Sequence, residues 1–270
     1  MEFLQENPGY MVYKNGENHP TVVSLLLFGK NPQGFLPRAS MRFIRYEGTE
    51  EKVGTEMNVV KDVIFEGTLR QQIDKAVAYV ATQIKEHTYL GPNGLFVTDI
   101  EYPEFVRQEL IVNSACHRDY SITGTDIQIK LFDDRLVVES PGNLPGLVRP
   151  DNIRHTRFSR NPRIARYLKA YTYVKEFGEG VDRMCREMEA DGLPPVKYYQ
   201  NDFILRAVAW NKLWEKEKVA ISSDKCSESS DKNNKVAINS DKVVIYWSDI
   251  EEKCNDNAII IGVSIFAYYD

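Results

Sequence analysis

The chain has 270 residues, 43% of them hydrophobic and 27% charged, with a formal net charge of −5. That length suits one large or two ordinary domains, the composition is that of a globular chain, and the acidic balance excludes a surface coated in basic charge. No apolar run approaches the ~18 residues of a membrane helix, and the start, MEFLQENPGY, lacks the basic and apolar regions of a signal peptide.

Residues 1–20 are polar and turn-rich, with Asn15-Gly16 as a turn signal, and an apolar run follows at 22–28. Residues 40–46 alternate as a strand does, and 63–66 read as a second strand. Leu69, Ile73, Ala76, Val77, Val80 and Ile84 recur at helical spacing, so 68–84 is predicted as a helix capped by Thr68. Residues 103–116 read as a long helix with Pro103 near its first turn. Strands are expected at 126–132 and 135–139 around Asp133-Asp134, and the prolines and glycines of 140–146 enforce a loop. Asn161 and Pro162 cap and open a helix to about 171, and a second helix spans 181–190, closed by Asp191-Gly192. Residues 203–209 read as a closing strand. Helices interleaved with short strands make this an α/β or α+β chain.

Beyond 214 the composition changes to Ser, Asp, Lys and Asn, with KVAISSDK and KVAINSDK as a near-repeat, which reads as a solvated linker. The expected organisation is 1–98, an α/β subregion; 99–212, the main domain; 213–242, the linker; and 243–270, a short C-terminal segment.

The most informative stretch is ELIVNSACHRDY at 109–120. Glu109 and Asn113 stand four apart on one helix face, where a carboxylate can hold or activate a water and an amide oxygen can ligate Mg2+. Alone, such a pair is most often the wet side of an amphipathic helix. Its weight grows because two glycine-bearing loops follow in order, at Gly142 and at Gly178-Glu179-Gly180, the second leading straight into a helix. Glycine permits close backbone approach, and helix N-termini offer free N–H groups to phosphate. Other chemistries lack their signatures. The cysteines Cys116, Cys185, Cys226 and Cys254 form no C-x-x-C, no histidines show H-E-x-x-H spacing, and there is no G-x-x-x-x-G-K-[ST]. Zinc, disulfide and P-loop readings therefore fall away, and a reducing cytoplasm fits. His117-Arg118-Asp119 lacks every companion motif of a kinase and is read as structural, tying the helix end to the next loop.

Taken together, LLLFGKNPQGFLP (25–37), FEGTLRQQID (65–74), ELIVNSACHRDYS (109–121), DDRLVVESPGNLP (133–145), SRNPRIA (159–165) and YVKEFGEGVDRM (173–184) carry a resemblance over residues 21–209. The chain resembles the RecG-related C-terminal, histidine-kinase-like (GHKL-type) ATPase domain of bacterial transcriptional regulators that carry Schlafen/AlbA-type DNA-binding domains. That resemblance implies a two-layer α/β sandwich of the Bergerat type, with helices on one face of a mixed sheet. It implies ATP and Mg2+ as cofactors, Glu109 as the catalytic residue polarising water, and Asn113 as the Mg2+ ligand. Ser140, Gly142, Arg160, Gly178 and Gly180 are the remaining cofactor-binding candidates. It also implies a missing N-terminal DNA-binding domain and a tail shorter than a winged helix. One departure matters. The family's D-x-G-x-G box, whose Asp accepts the adenine amino group, stands here as Ser140-Pro141-Gly142-Asn143-Leu144.

Between the glycine boxes, Arg154, Arg157, Arg160, Arg163 and Arg166 recur every third residue, followed by Lys169. Residues 149–169 hold seven Lys/Arg against Asp151 alone, a local +6 (7 − 1). By resemblance this is the ATP lid, and its charge suits triphosphate or a nucleic-acid backbone, unless carboxylates from elsewhere pair with it. Two readings stay open. One is an ATP-binding regulatory module of a DNA-associated protein, with slow or no hydrolysis by a weak Mg2+-dependent ATPase and no helicase motor. The other is a degenerate, non-catalytic scaffold for dimerisation or for contact with a partner or DNA. Expected partners are nucleotide, DNA through 154–169 or the missing domain, and a second copy, with no membrane.

Overall fold

The computed structural model describes residues 9–156, 158–173 and 179–212, and beyond them two short strands. Residues 1–219 form one compact unit and 220–270 a second. In the second unit the described backbone is a strand pair, Lys235–Ala237 antiparallel to Val244–Tyr246. The first of these strands falls within the stretch read as linker.

The first unit opens with a hairpin of β1 (Met11–Lys14) and β2 (Glu17–Pro20). Its turn is Asn15-Gly16, both at positive φ (52° and 85°), as a two-residue hairpin loop demands. The apolar run that follows is a helix, α1 (Val22–Phe28), capped by the Thr21 hydroxyl. Then come β3 (Met41–Tyr46), β4 (Val59–Phe65) and α2 (Leu69–Ala81). At the start of α2, Thr68 and Gln71 form a reciprocal capping box. The second predicted strand thus begins four residues earlier than its apolar end suggested. An exposed hairpin, β5 (Glu86–Leu90) and β6 (Phe96–Ile100), precedes α3 (Glu104–His117). The remainder is β7 (Ile127–Leu131), β8 (Arg135–Pro141), α4 (Pro162–Ala170), α5 (Gly180–Ala190), β9 (Lys197–Asn201) and β10 (Ile204–Trp210).

Six strands form one mixed sheet in the order β4-β3-β7-β8-β10-β9. Only β3 and β7 are parallel, with Met41 opposite Ile127 and Arg45 opposite Leu131; the other neighbours are antiparallel. The two faces differ as a two-layer sandwich requires. Met41, Phe43, Ile129, Leu131, Leu136 and Val138 point into the main core. There they meet Ile73 and Val80 of α2, Ile111 and Ala115 of α3, Leu168 of α4, and Met184 and Met188 of α5. The opposite face carries a small cluster of Ile44, Tyr46, Phe132, Val137 and Val208. Beside it, Lys130 reaches Glu51 at 2.8 Å and Glu139 at 2.9 Å, and Arg206 reaches Glu139 at 2.6 Å. Cross-strand ion pairs suit a sheet face that no helix covers. This is the α/β sandwich the resemblance implies.

Two buried amides fix where β3 and α2 begin. Gln33 Nε2 donates to Ala39 O (2.7 Å) and Gly67 O (3.1 Å), and its Oε1 accepts from Gly67 N at 2.9 Å. Gln72 Nε2 donates to the same two carbonyls at 3.0 and 2.9 Å. One expected cap is corrected. Asn161 stands at the α4 N-cap without capping it. Its Nδ2 donates instead to Cys116 O (2.9 Å) and Arg118 O (2.8 Å), because the end of α3 packs beside it and leaves those carbonyls free. Among the described residues, no helix is long and apolar enough to cross a membrane.

Candidate functional site

α3 supplies one wall of a cavity of about 470 Å3. Ile111, Val112 and Ala115 face the core with no exposure, which turns Glu109, Asn113 and His117 toward the cavity at a constant step of four. At 1.5 Å per residue that row runs ~12 Å along the helix axis. β8 supplies Ser140, and the loop after it supplies Gly142, Asn143 and Leu144. The segment after that loop covers the cavity with Val148, Ile153 and Phe158. α5 contributes Gly180 and Val181, and β9 contributes Tyr198. The volume lies within the usual range for small-molecule sites.

Asn113 Nδ2 donates to Glu109 Oε1 at 3.0 Å. Burial pushes the Glu109 carboxyl above its ordinary pKa, against the opposing pull of the Asn113 amide and Arg183. With its N–H given to Glu109, Asn113 keeps its oxygen for another donor or a cation. Ser140 is buried, and its hydroxyl donates to Ser114 O of α3 at 2.9 Å. Its lone pairs remain the only polar offer it makes to a ligand. The ring of His117 is held below its ordinary pKa by burial and by nearby Arg160, so it stays neutral near pH 7.

Gly142 sits at φ +111°, and a Cβ there would lie 2.7 Å from Asp119 Cβ. Both that backbone conformation and the close passage of the chain after α3 exclude a side chain there. Asp119 N donates to Pro141 O at 2.8 Å, and Asp119 Oδ2 accepts from Arg160 Nη1 at 2.9 Å. Arg160 Nη2 also donates to Asn143 O. Arg160 therefore ties the cover segment to the glycine loop and does not line the cavity. Arg154 likewise pairs with Asp182 in the first turn of α5 at 2.8 Å. Arg163 and Arg166 stay exposed, and Arg157 and Gly178 lie outside the described residues. No Lys or Arg among the described residues lines the cavity.

Arg118 is 2% exposed, and its Nη2 donates to Thr125 O (2.7 Å) and Ile122 O (3.2 Å), so it braces the turn into β7 as the structural reading expected. Among the lining residues that sequence reasoning missed, His117 and Tyr198 are the two with titratable side chains besides Cys116. His117 continues the four-residue step from Glu109 and Asn113, a signal masked by its place in the His-Arg-Asp triplet. Tyr198 lies on a polar edge strand that carried no readable alternation.

The donor types fit a Mg-nucleotide. The Asn113 oxygen suits Mg2+, and the first N–H groups of α5 lack helical partners, since the ladder begins with Arg183 N to Glu179 O. No group of three or more His, Cys, Asp or Glu able to hold a metal exists among the described residues. Mg2+ here would thus depend on phosphate and water for its other ligands.

Residues 124–208 match the family model described as "Putative ATP-dependent DNA helicase recG C-terminal". The RecG C-terminal match begins after α3, so it includes Ser140, Gly142 and Gly180 but neither Glu109 nor Asn113. Among solved structures the chain is similar to the DIP2311 protein from Corynebacterium diphtheriae, at 22% identity and a TM-score of 0.62. The likeness covers 72% of this chain and 38% of that one, so the two share a fold and this chain spans well under half of that protein's length. The comparison with curated proteins gives no match.

Proposed function

We propose that the cavity beneath residues 146–159 binds an adenine nucleotide with Mg2+. In this reading the RecG C-terminal-type domain is the nucleotide-responsive part of a DNA-associated bacterial regulator, with slow or no hydrolysis. The observation that carries it is convergence. Glu109, Asn113, Ser140, Gly142 and Gly180, spread over 72 positions (180 − 109 + 1), line one cavity in the ATPase-like fold. Asn113 would ligate Mg2+ through its oxygen, Glu109 would orient or deprotonate water, and Ser140 would accept the adenine amino group. Bound Mg2+ would neutralise phosphate charge.

A specific observation favours the second reading, a scaffold that has lost its ligand. Arg154 and Arg160 are spent on Asp182 and Asp119, and the Ser140 proton is spent on Ser114. The same pairings leave Arg163 and Arg166 as the exposed part of the stripe that would meet DNA. A thermal melt with Mg2+-ATP, ADP and GTP separates the readings. A ligand at ~100 times its Kd adds about 2.7 kcal/mol, which is visible as a shift. An ATP shift abolished by Asn113→Ala supports the nucleotide module. No shift with any nucleotide refutes it and leaves the scaffold, whose DNA contact would then be tested by the salt dependence of binding.

A further inference from the structure

We propose that Gly180 is a positioning residue for the Glu109 carboxyl: the first residue of α5 lacks a side chain so that the acid of α3 can seat against the α5 backbone. The glycine spacing Gly178-x-Gly180 suggests a loop shaped for a ligand's phosphate. The geometry gives the second glycine a different occupant. A Cβ built on Gly180 would fall 2.0 Å from Glu109 Oε1 and 2.9 Å from Glu109 Cδ. Both distances are far inside van der Waals contact.

The demand is for space and not for backbone freedom. Gly142 occupies the left-handed region at φ +111°, where glycine is required whatever its surroundings. Gly180 is absent from the positive-φ glycines and opens a regular 11-residue helix, a position where alanine would be the better helix former. Among the described residues, the three atoms nearest to a Cβ there all belong to the Glu109 side chain.

Nor can Glu109 yield easily. The oxygen that meets Gly180, Oε1, is the one that accepts the 3.0 Å bond from Asn113 Nδ2 one turn along α3. Oε1 thus lies between the Asn113 amide and the place a side chain at 180 would take. A methyl group at 180 would fill that place and drive the carboxyl into the cavity. The positive end of the α5 dipole and Arg183, whose charge also favours the ionised acid, lie on the same side. Asp182 in that first turn holds Arg154 of the cover segment. Cover, α5 and acid therefore form one linked series, so a shift of the first turn of α5 reaches Glu109 directly.

The functional meaning of this seat rests on the nucleotide reading; the seat itself does not, and the test separates them. In the ligand-free 270-residue chain, Gly180→Ala is compared by chemical denaturation in the wild-type, Glu109→Asp and Glu109→Ala backgrounds. The unfolding constant should rise at least tenfold in the wild type and less than twofold with Glu109→Ala. Glu109→Asp, one methylene shorter, should fall between. An equal cost in all three backgrounds overturns the seat. Mg2+-ATP affinity is then read in the same set. Gly180→Ala should weaken binding at least tenfold in the wild-type background and less than twofold in the Glu109→Asp background. An equal loss in every background would make Gly180 a direct ligand contact and overturn the positioning role. If the wild type binds no nucleotide, the nucleotide reading falls while the denaturation cycle still decides the seat.

Discussion

Replacing Ser140 by aspartate introduces the residue that the resemblance to D-x-G-x-G boxes would place there, and the fold sets its consequence in both ligand states. The Ser140 side chain is buried, and its proton is donated to Ser114 O at 2.9 Å. An ionised aspartate has no proton to give. Ser140→Asp therefore loses one buried hydrogen bond and places a charge beside a carbonyl oxygen. The lost bond is worth about 1 kcal/mol, and a buried group left unpaired costs about 1–3 kcal/mol. For a unit of this size each kcal/mol lowers Tm by roughly 2–4 °C. The expected loss at pH 7 is thus several degrees, and Ser140→Ala, which loses the bond without adding charge, should lose less.

The pH dependence separates the two variants. The introduced carboxyl has a folded pKa above its ordinary value, because burial and the carbonyl favour the protonated form. A raised folded pKa gives stability that is present at low pH and lost as pH rises. The deficit of Ser140→Asp should shrink from pH 7 toward 5, where a protonated acid can donate to Ser114 O, while that of Ser140→Ala should stay flat. With adenosine or Mg2+-ATP the order should reverse. A charged acceptor makes a hydrogen bond roughly twice as strong as a neutral one, so affinity should rise about tenfold, or ~1.4 kcal/mol. Differential scanning fluorimetry across pH, with and without ligand, reads both effects. If Ser140→Asp melts like Ser140→Ala at every pH and gains no adenosine affinity, residue 140 does not meet the base, and its part in adenine recognition is lost.

Three further substitutions test the surrounding framework. Glu109→Gln keeps an acceptor for Asn113 and removes a carboxyl whose folded pKa is raised by burial; it should be stabilising at pH 7 and converge with the wild type below the ordinary glutamate pKa of about 4.3, as urea melts at pH 4 and 7 would show. Gln33→Ala strips three buried hydrogen bonds from the start of β3 and from Gly67 and should cost about 2–4 kcal/mol, with an unchanged m-value in denaturant. Arg118→Met leaves the carbonyls of Ile122 and Thr125 without their donor; a loss of about 2–4 kcal/mol is expected, and a change under 1 kcal/mol would show that the buried guanidinium cost as much as it gave.

What the sequence made legible was local. The α2 helix follows from its apolar spacing and Thr68, the β7–β8 hairpin from alternation around Asp133-Asp134, and the α3 face from the four-residue step of Glu109 and Asn113. What stayed hidden depends on distant partners or on polar edges. β9, with four of five residues exposed, shows no alternation because only Tyr198 turns inward. The parallel pairing of β3 with β7 joins residues 86 positions apart (127 − 41), which no local pattern encodes. The arginine stripe shows the same limit. Its residues sum to a local +6 in the sequence, yet Arg154 precedes the helix that Arg163 and Arg166 occupy. The acids that neutralise Arg154 and Arg160 lie 28 and 41 positions away. Charge counted along a chain overstates charge presented to a ligand whenever the fold brings in the opposite sign.

The three motifs that most distinguish this chain, HRDYS, SPGNLP and SRNP, have one physical explanation that involves no ligand. Asp119 of the first receives Arg160 of the third and donates its backbone N–H to Pro141 of the second. Arg160 reaches Asn143 of the second, and Asn161 of the third binds the carbonyls of Cys116 and Arg118 at the first. Gly142 lacks a side chain both because its φ of +111° disfavours one and because Asp119 passes within contact of it. These bonds form a closed knot that holds the end of α3, the glycine loop and the cover segment together, and losing any one strand of it would leave buried polar groups unpaired. Shared presence of the motifs therefore vouches for the knot and the fold. In the proposed reading, nucleotide chemistry would rest on groups outside it: Glu109, Asn113, Ser140 and the start of α5. A chain could keep every motif and lose its ligand, or change Ser140 and regain one, without disturbing the knot. That independence is why substitutions at 140 and 109, rather than at the residues that tie the knot, can decide between a working nucleotide site and a scaffold.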